Sequence, residues 1–317
     1  AGFIGSHLIE RLLSDGKEVF VFDLIPLDRA LNLREVKNHP KMHYFEGDIR
    51  NVEHMKEFFV SDASMIFHLA AVVGIKHYLD DPLKLIDISV GGTRTILELA
   101  KENRNKLIFT SSSEVFGRNP KIPWSETDDR VLGPTSVDRW CYSSSKAVCE
   151  HMIYGMYHKF NLPFSIVRIF NAYGPRQNPI FVLSQSVHKA LRGEKPLLYD
   201  DGSMTRCFTY IDDIIEGVVR IANNPKAVGE SFNLGNTVET TMKFVVESVI
   251  KAVDPCLGYD VFNTVEKYGD IYEDIGRRVP DASKAKEMLD WHAVTQYQEG
   301  IEKTVEWSKK NPWWLEG

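Results

Sequence analysis

The first half of this 317-residue chain alternates short, continuous apolar runs with amphipathic stretches, and that alternation restricts the fold more than any other feature. The runs are EVFVFD (Glu18 to Asp23), MHYFEGDI (Met42 to Ile49), SMIFHLAA (Ser64 to Ala71), KLIFTSSS (Lys106 to Ser113) and FSIVRIF (Phe164 to Phe170). Helical stretches lie between them: the segment opened by Gly5, then Val52 to Phe59, Leu85 to Glu102 and Tyr142 to Phe160. Apolar runs rich in β-branched and aromatic residues, with no polar alternation, are strands buried on both faces. Helices between such strands supply the crossovers of a parallel sheet. The expected fold is α/β, a Rossmann-like, doubly wound parallel sheet.

From Tyr173 the texture changes, with Pro175, Pro179, Gly193, Pro196 and Gly202 punctuating short elements. The strand–helix signal returns at FTYIDDIIEGVVRIAN (Phe208 to Asn223) and SFNLGN (Ser231 to Asn236). The expected division is a nucleotide domain over 1–175, to which 208–235 returns, and a smaller C-terminal α/β substrate-binding domain mainly over 176–317. Net charge is −6 and no basic block stands out, which argues against a nucleic-acid partner. No apolar run reaches membrane-spanning length. Cys141, Cys149, Cys207 and Cys256 are scattered without metal-ligand spacing. They read as free thiols of a cytoplasmic protein, and no metal site is expected.

The chain starts AGFIGSHL, and Gly2 and Gly5 have the spacing of the last two glycines of a GxxGxxG turn. Glycine there lets the backbone, here Gly2, Phe3, Ile4 and Gly5, approach a pyrophosphate, while the helix N-terminus supplies N–H donors. Asp23 ends the next strand, where a carboxylate bonds the adenosine ribose hydroxyls and repels a 2′-phosphate, favouring NAD over NADP. GDI, with Asp48 and Ile49, is placed to flank the adenine. Leu69, Ala70 and Ala71, small or slim at a strand end, let the cofactor pass close to the backbone. His68 reads as a packed strand residue. Such a turn follows a central strand, and losing that strand would leave neighbouring edges unpaired. A strand and a further glycine are therefore expected ahead of Ala1.

YSSSK sets Tyr142 and Lys146 four residues apart, on one helix face. A lysine ammonium there is expected to lower the tyrosine pKa, so that the phenolate serves as a base near neutral pH. Taken together with the Gly-x-x-Gly turn, Asp23, HLAA, TSSSEVFG, RIFNAYGPRQ, DGSMTRCFTYIDD and FNLGN, this order and spacing resembles the extended short-chain dehydrogenase/reductases. More narrowly it resembles their NAD-dependent sugar-nucleotide epimerase, dehydratase and decarboxylase group, over essentially the whole chain. The resemblance implies tightly held NAD and oxidation of a sugar hydroxyl, usually at C4, to a ketone. It implies Tyr142 as base with Lys146 as helper, Ser112 bonded to the same hydroxyl, and Ser111 and Phe170 on the cofactor side. Asn171 and Arg206 would meet the substrate diphosphate, a group that suits a guanidinium fork. Arg176 would be a further substrate contact or a structural loop residue. The resemblance also implies a homodimer through a four-helix bundle of the 85–102 and 142–160 helices, with Ile153, Met156 and Tyr157 either at that interface or inside the monomer.

Within the group, SSSEVFG discriminates. The 4,6-dehydratases of the dTDP-glucose type carry an Asp–Glu pair where Ser113 and Glu114 stand here, so their acid is absent. Ser-Ser-Glu is similar to UDP-glucuronate decarboxylases and also to GDP-mannose 4,6-dehydratases, and Asp23 argues against the latter, which use NADP. YGDIYEDIGRRVPD (Tyr268 to Asp281) resembles a segment of the aminoarabinose-pathway decarboxylases and the UDP-apiose/xylose synthases, although Gly269 and Tyr272 are one residue closer together here. Gly133, Pro134, Arg139, Trp140 and Tyr142 match the approach of those enzymes to the tyrosine, and Arg278 falls on their carboxylate-binding arginine. The expected activity is decarboxylation of UDP-glucuronate to UDP-xylose or a 4-keto-pentose, with Glu114 or a water it positions handling the C5 proton. A nucleotide-sugar 4-epimerase stands second and a 4,6-dehydratase third. In either, Glu114 becomes a structural carboxylate and Arg278 pairs with Asp274 or Glu273. An NAD-binding regulator is the non-enzymatic alternative, which the intact Tyr142 and Lys146 disfavour.

Overall fold

The computed structural model describes residues 1–59, 63–74, 80–268 and 273–316. The chain opens with α1 (Phe3–Ser14), β1 (Val19–Asp23), β2 (Met42–Glu46), α2 (Val52–Phe58) and β3 (Met65–His68). Then come α3 (Pro82–Ile86), α4 (Gly92–Asn103), β4 (Lys106–Ser112), α5 (Arg139–Phe160) and β5 (Phe164–Ile169). All five apolar runs are strands. β1 pairs in parallel with β2, and a second parallel sheet has the order β10-β5-β4-β3, where β10 is Glu230–Leu234. A strand distant in sequence thus joins the sheet beside β5, with Phe232 opposite Val167.

Side-chain alternation explains why both faces are covered. Along β4 and β5, Ile108 and Val167 join one buried cluster with Ile211, Ile214 and Phe232, while Leu107, Phe109 and Ile166 join another with Leu97, Cys149 and Ile153. Successive strand residues point to opposite faces, so a continuous apolar run needs helices on both. The first face carries α7 (Ile211–Asn223), whose Ile211, Ile214, Ile215, Val218 and Ile221 are buried at helical spacing. The second carries α4 and α5, which pack together.

The expected single helix over 85–102 is interrupted. α3 is capped by the Asp81 carboxylate, which accepts from Lys84 N, and a π-helical turn (Asp87–Gly91) separates it from α4. At that junction the backbone of Gly92 passes so close to Ile49 that a Cβ would overlap the Ile49 side chain. Of the two readings of Ile153, burial inside the monomer holds: it is fully buried against Leu162 and Phe164, with Met156 and Tyr157 half-buried on the same cluster.

The remaining strands are short: β6 (Ala172–Tyr173), β7 (Leu197–Tyr199), β8 (Thr205–Arg206), β9 (Thr209–Tyr210), β11 (Thr240–Thr241), β12 (Asp260–Phe262) and β13 (Arg277–Arg278). β8 lies between β11 and β13, in antiparallel and parallel pairing respectively. This small sheet sets Arg206 directly opposite Arg278.

Candidate active site

The glycine turn is built as a ligand cradle. Gly2 caps α1 with extended backbone (φ −71°, ψ −172°) and no side chain bonds the first-turn N–H groups. A Cβ on Gly2 or Gly5 would meet nothing within 4 Å, so both positions face open space. An uncapped twelve-residue helix start behind side-chain-free positions fits a dinucleotide pyrophosphate. Asp23 stands beside this turn. Its Oδ2 is 2.8 Å from the main-chain nitrogen of Ala1, and its Oδ1 accepts from Ile25 N at 3.0 Å.

The other cofactor-side residues are placed unequally. Leu69, Ala70 and Ala71 leave the end of β3 with exposed or half-buried positions. Asp48 is engaged by Arg50 (2.6 Å), and Ile49 is buried against Gly92. Their side chains are therefore committed to the protein. His68 is buried with Nε2 3.0 Å from Thr93 Oγ1; burial, with Lys146 nearby, pulls its pKa down to about 3, so it is a neutral packing residue.

Tyr142 and Lys146 lie in the first half of α5, both buried. The Ser112 hydroxyl bonds the Tyr142 side chain and also accepts from Glu114 N at 3.2 Å. Lys146 Nζ donates to Thr110 O at 2.9 Å and lies 4.6 Å from the Phe109 ring centroid. The expectation that Lys146 lowers the tyrosine pKa is not met. Burial pushes the phenol well up and the Glu114 carboxylate adds to this, against the Ser112 hydrogen bond and the cations Arg139 and Arg278. Lys146 is itself drawn down to about 8 by burial, which Cys149 and Glu150 partly offset.

Beside Tyr142 is a buried cluster of five charges. Glu114 Oε2 is 2.7 Å from Arg139 Nη1, and Glu114 Oε1 accepts from Arg278 Nη1. Asp274 Oδ1 is 3.2 Å from Arg206 Nη2, 3.3 Å from Arg278 Nη2 and 3.7 Å from Arg139 Nη2. Among the described residues, three guanidinium groups face two carboxylates. Burial alone would raise Glu114, but Arg139, Arg278 and Arg206 outweigh it and hold the carboxyl at about 2. Burial and the Arg278 charge take Arg206 down to about 10. Glu114 is thus held as a carboxylate, which of the two expected carriers of the C5 proton favours a water that it positions.

The pairing of Arg278 with Asp274, the alternative weighed from sequence, is present, and Glu114 shares that guanidinium. Arg206 is likewise paired, with Asp274. Arg278 Nε and Asn171 Oδ1 are among the atoms at this end of the sheet that are buried without a hydrogen-bond partner among the described residues. Arg176 is not in the cluster. Its Nη2 bonds both oxygens of Glu10 on α1 (2.7 and 2.8 Å), which makes it a loop-to-helix clamp instead of a substrate contact. Phe170 is buried in an aromatic group with Phe116 and Trp124, and Ser111 Oγ is taken by Glu150 Oε1 at 2.6 Å. The cofactor-side placing of both side chains gives way to packing. Ser113 is buried in the turn after β4. Gly269 to Tyr272 lie outside the described residues.

Sequence reasoning treated Arg139 only as part of a matching segment and passed over Glu150 and Arg168. Arg139 stands three residues before Tyr142, and Glu150 four after Lys146. The 3.6-residue period of one helix carries all four to a common face, and that signal was available.

A family model described as GDP-mannose 4,6 dehydratase matches residues 1–304. A UDP-N-acetyl-alpha-D-glucosaminuronate decarboxylase of Bacillus cytotoxicus is 34% identical over 315 residues, covering 98% of this chain and 96% of that protein. UDP-glucuronic acid decarboxylase 1 of Arabidopsis thaliana is 34% identical over 307 residues, covering 96% of this chain and 67% of that protein. Two solved structures share the fold. A UDP-glucose 4-epimerase of Thermotoga maritima with UDP-glucose has a TM-score of 0.87 at 26% identity, covering 98% of this chain and 97% of that one. A dTDP-glucose 4,6-dehydratase of Bacillus anthracis in complex with NAD has a TM-score of 0.84 at 28% identity, covering 99% and 96%.

Proposed function

Since the chain belongs to the GDP-mannose 4,6-dehydratase family of extended short-chain dehydrogenase/reductases, we propose that it is an NAD-dependent decarboxylase of a UDP-linked hexuronic acid, with UDP-glucuronate as substrate. The observation that carries this reading is the buried cluster of Arg139, Arg206 and Arg278 with Glu114 and Asp274 beside Tyr142, in which Arg278 Nε has no hydrogen-bond partner among the described residues. A uronic acid nucleotide brings a diphosphate and a carboxylate, and guanidinium forks pair with both. A neutral hexose would leave this much buried positive charge with less to meet.

Bound NAD, which Gly2 to Gly5 and Asp23 would hold, would supply hydride acceptance and return at C4. The protein's part is acid–base and electrostatic. Tyr142 takes the proton of the C4 hydroxyl once its phenol, held up by burial and favoured towards ionisation by Ser112, has ionised, and Lys146 sits one turn along the same helix face. The C6 carboxylate is then β to a ketone. Breaking C5–C6 releases CO2 and leaves the bond's electrons in an enolate conjugated with the C4 oxygen. Arg278 orients the departing carboxylate. Glu114, fixed as an anion, keeps Arg278 in place and disfavours any step that needs an acid at its position, including loss of water. Water supplies the C5 proton. Arg206 and Asn171 serve the diphosphate. Gly2 to Gly5 and Asp23 hold the dinucleotide, and the nucleotide domain over 1–175 with the return of 208–235 carries it.

Two copies would pair through α4 and α5, where Val148 and Phe160 are exposed. The test of the reaction is product analysis after incubation with UDP-glucuronate, with UDP-N-acetylglucosaminuronate as a parallel arm. Release of CO2 and a UDP-pentose supports the reading. A purely epimerised acid, with all carbons retained, overturns it.

A further inference from the structure

Arg139 is the least accessible cation of the cluster, with 3% of its surface exposed. It stands at the start of α5, three residues before Tyr142 and on the same face. Its Nη1 holds Glu114 Oε2 while its Nη2 lies towards Asp274. Glu114 Oε1, the other oxygen, is the one bonded by Arg278. The neighbouring Trp140 indole N–H donates to Glu273 Oε2 at 3.0 Å, so the first turn of α5 is tied to the segment leading into β13. A Cβ on Gly133 would lie 2.8 Å from that same Oε2 and overlap the indole, which shows how closely the three segments meet.

On the reading given above, we propose that Arg139 is a positioning residue for the reaction: it fixes Glu114 as an anion with Oε1 turned to Arg278, and thereby aims the Arg278 guanidinium at the substrate carboxylate. A direct substrate contact is the weaker alternative, because the fork of Arg139 already spans two buried carboxylates. Among the described residues, the charged and titratable groups facing Glu114 are Arg139 and Tyr142 from α5, Arg206 from β8, Arg278 from β13 and Asp274 just before it. Removing one of three cations weakens what holds the carboxyl ionised against burial, so its titration moves up towards neutral pH. Once protonated, Glu114 releases Arg278.

The test uses the NAD-loaded enzyme and its Arg139→Met and Arg139→Lys variants. With UDP-glucuronate, Arg139→Met is expected to lose about 100-fold in kcat with KM changed by less than about 3-fold, and the acid limb of kcat to move up by about one pH unit or more. Arg139→Lys is expected to restore about tenfold, because it keeps the charge without the fork. In a Glu114→Gln background, Arg139→Met is expected to add less than about 3-fold, since the two residues act as a unit. A loss of the same size in that background, a loss confined to KM, or an unmoved acid limb overturns the proposal. Infrared titration without substrate separates this from the reaction itself. The protonated-carboxyl band that disappears in Glu114→Gln must appear at higher pH in both Arg139 variants, and an unchanged titration sinks the Arg139 role. Absence of CO2 release by the wild-type enzyme counts against the decarboxylase reading alone. If Arg139→Met does not fold, Arg139→Lys supplies every readout.

Discussion

Ser112 shows how much one hydroxyl is asked to do at this site. It ends β4, accepts from Glu114 N, and bonds the Tyr142 side chain, where it opposes the upward push of burial and of the Glu114 charge. That bond favours the phenolate. In Ser112→Ala the phenol is harder to ionise, so the rising limb of kcat is expected at higher pH, with a loss of about 10- to 100-fold near neutrality; the pH–rate profile is the measurement. Tyr142→Phe removes the base itself. It is expected to keep its bound NAD and its thermal midpoint while losing about 100- to 10,000-fold in turnover, read by CO2 release alongside NAD content. Asp23 is a third single-residue test. A carboxylate beside the glycine turn repels a 2′-phosphate, so Asp23→Ser is expected to narrow the preference for NAD over NADP by about tenfold or more, measured by binding of each dinucleotide.

α5 gathers the chemistry by periodicity: Arg139, Tyr142, Lys146 and Glu150 follow one another at steps of three and four. Glu150 accepts from Ser111 Oγ and pairs with Arg168 of β5 through two bonds (3.0 and 2.6 Å), joining helix, β4 and β5 beneath Tyr142. Both partners are buried, so removing one strands the other's charge in a low-dielectric interior. Glu150→Leu is expected to cost about 3–5 kcal/mol, and the double variant Glu150→Leu/Arg168→Met to recover part of it, read by chemical denaturation. The strands and most helices were legible in sequence because burial on both faces writes an unbroken apolar run. Pair geometry was not. Whether Arg278 faces a ligand or Asp274 depends on the pairing of β8 with β13, and whether Arg176 reaches the substrate or Glu10 depends on how the loop after β6 meets α1. No local pattern encodes that. The π turn at Asp87–Gly91 escaped for the same reason: it answers to Ile49, far away in sequence.

His7, His68 and Glu114 are among the groups that bind protons less readily when folded than when unfolded, and these three act in the same direction. Burial, with Arg176 nearby, takes His7 from 6.5 to about 4 despite its bond to Pro175 O. His68 falls from 6.5 to about 3, and Glu114 from 4.5 to about 2. A depressed folded-state pKa means that the unfolded chain takes up the proton first. Each contribution is complete above the unfolded value and is lost as pH falls towards the folded one. Stability is therefore expected to decline first below about pH 6.5, from the two histidines, and then more steeply below about 4.5, where Glu114 joins them. The denaturation midpoint measured from pH 8 to 3 should trace this two-stage fall. His68→Gln keeps a neutral amide near Thr93 and removes one titration, so it should flatten the upper stage and also lessen the slope of the lower one down to about pH 3, leaving the Glu114 part in place. A midpoint independent of pH between 6.5 and 4.5 would place both histidines in contact with water, against their burial beneath α4 and behind Pro175.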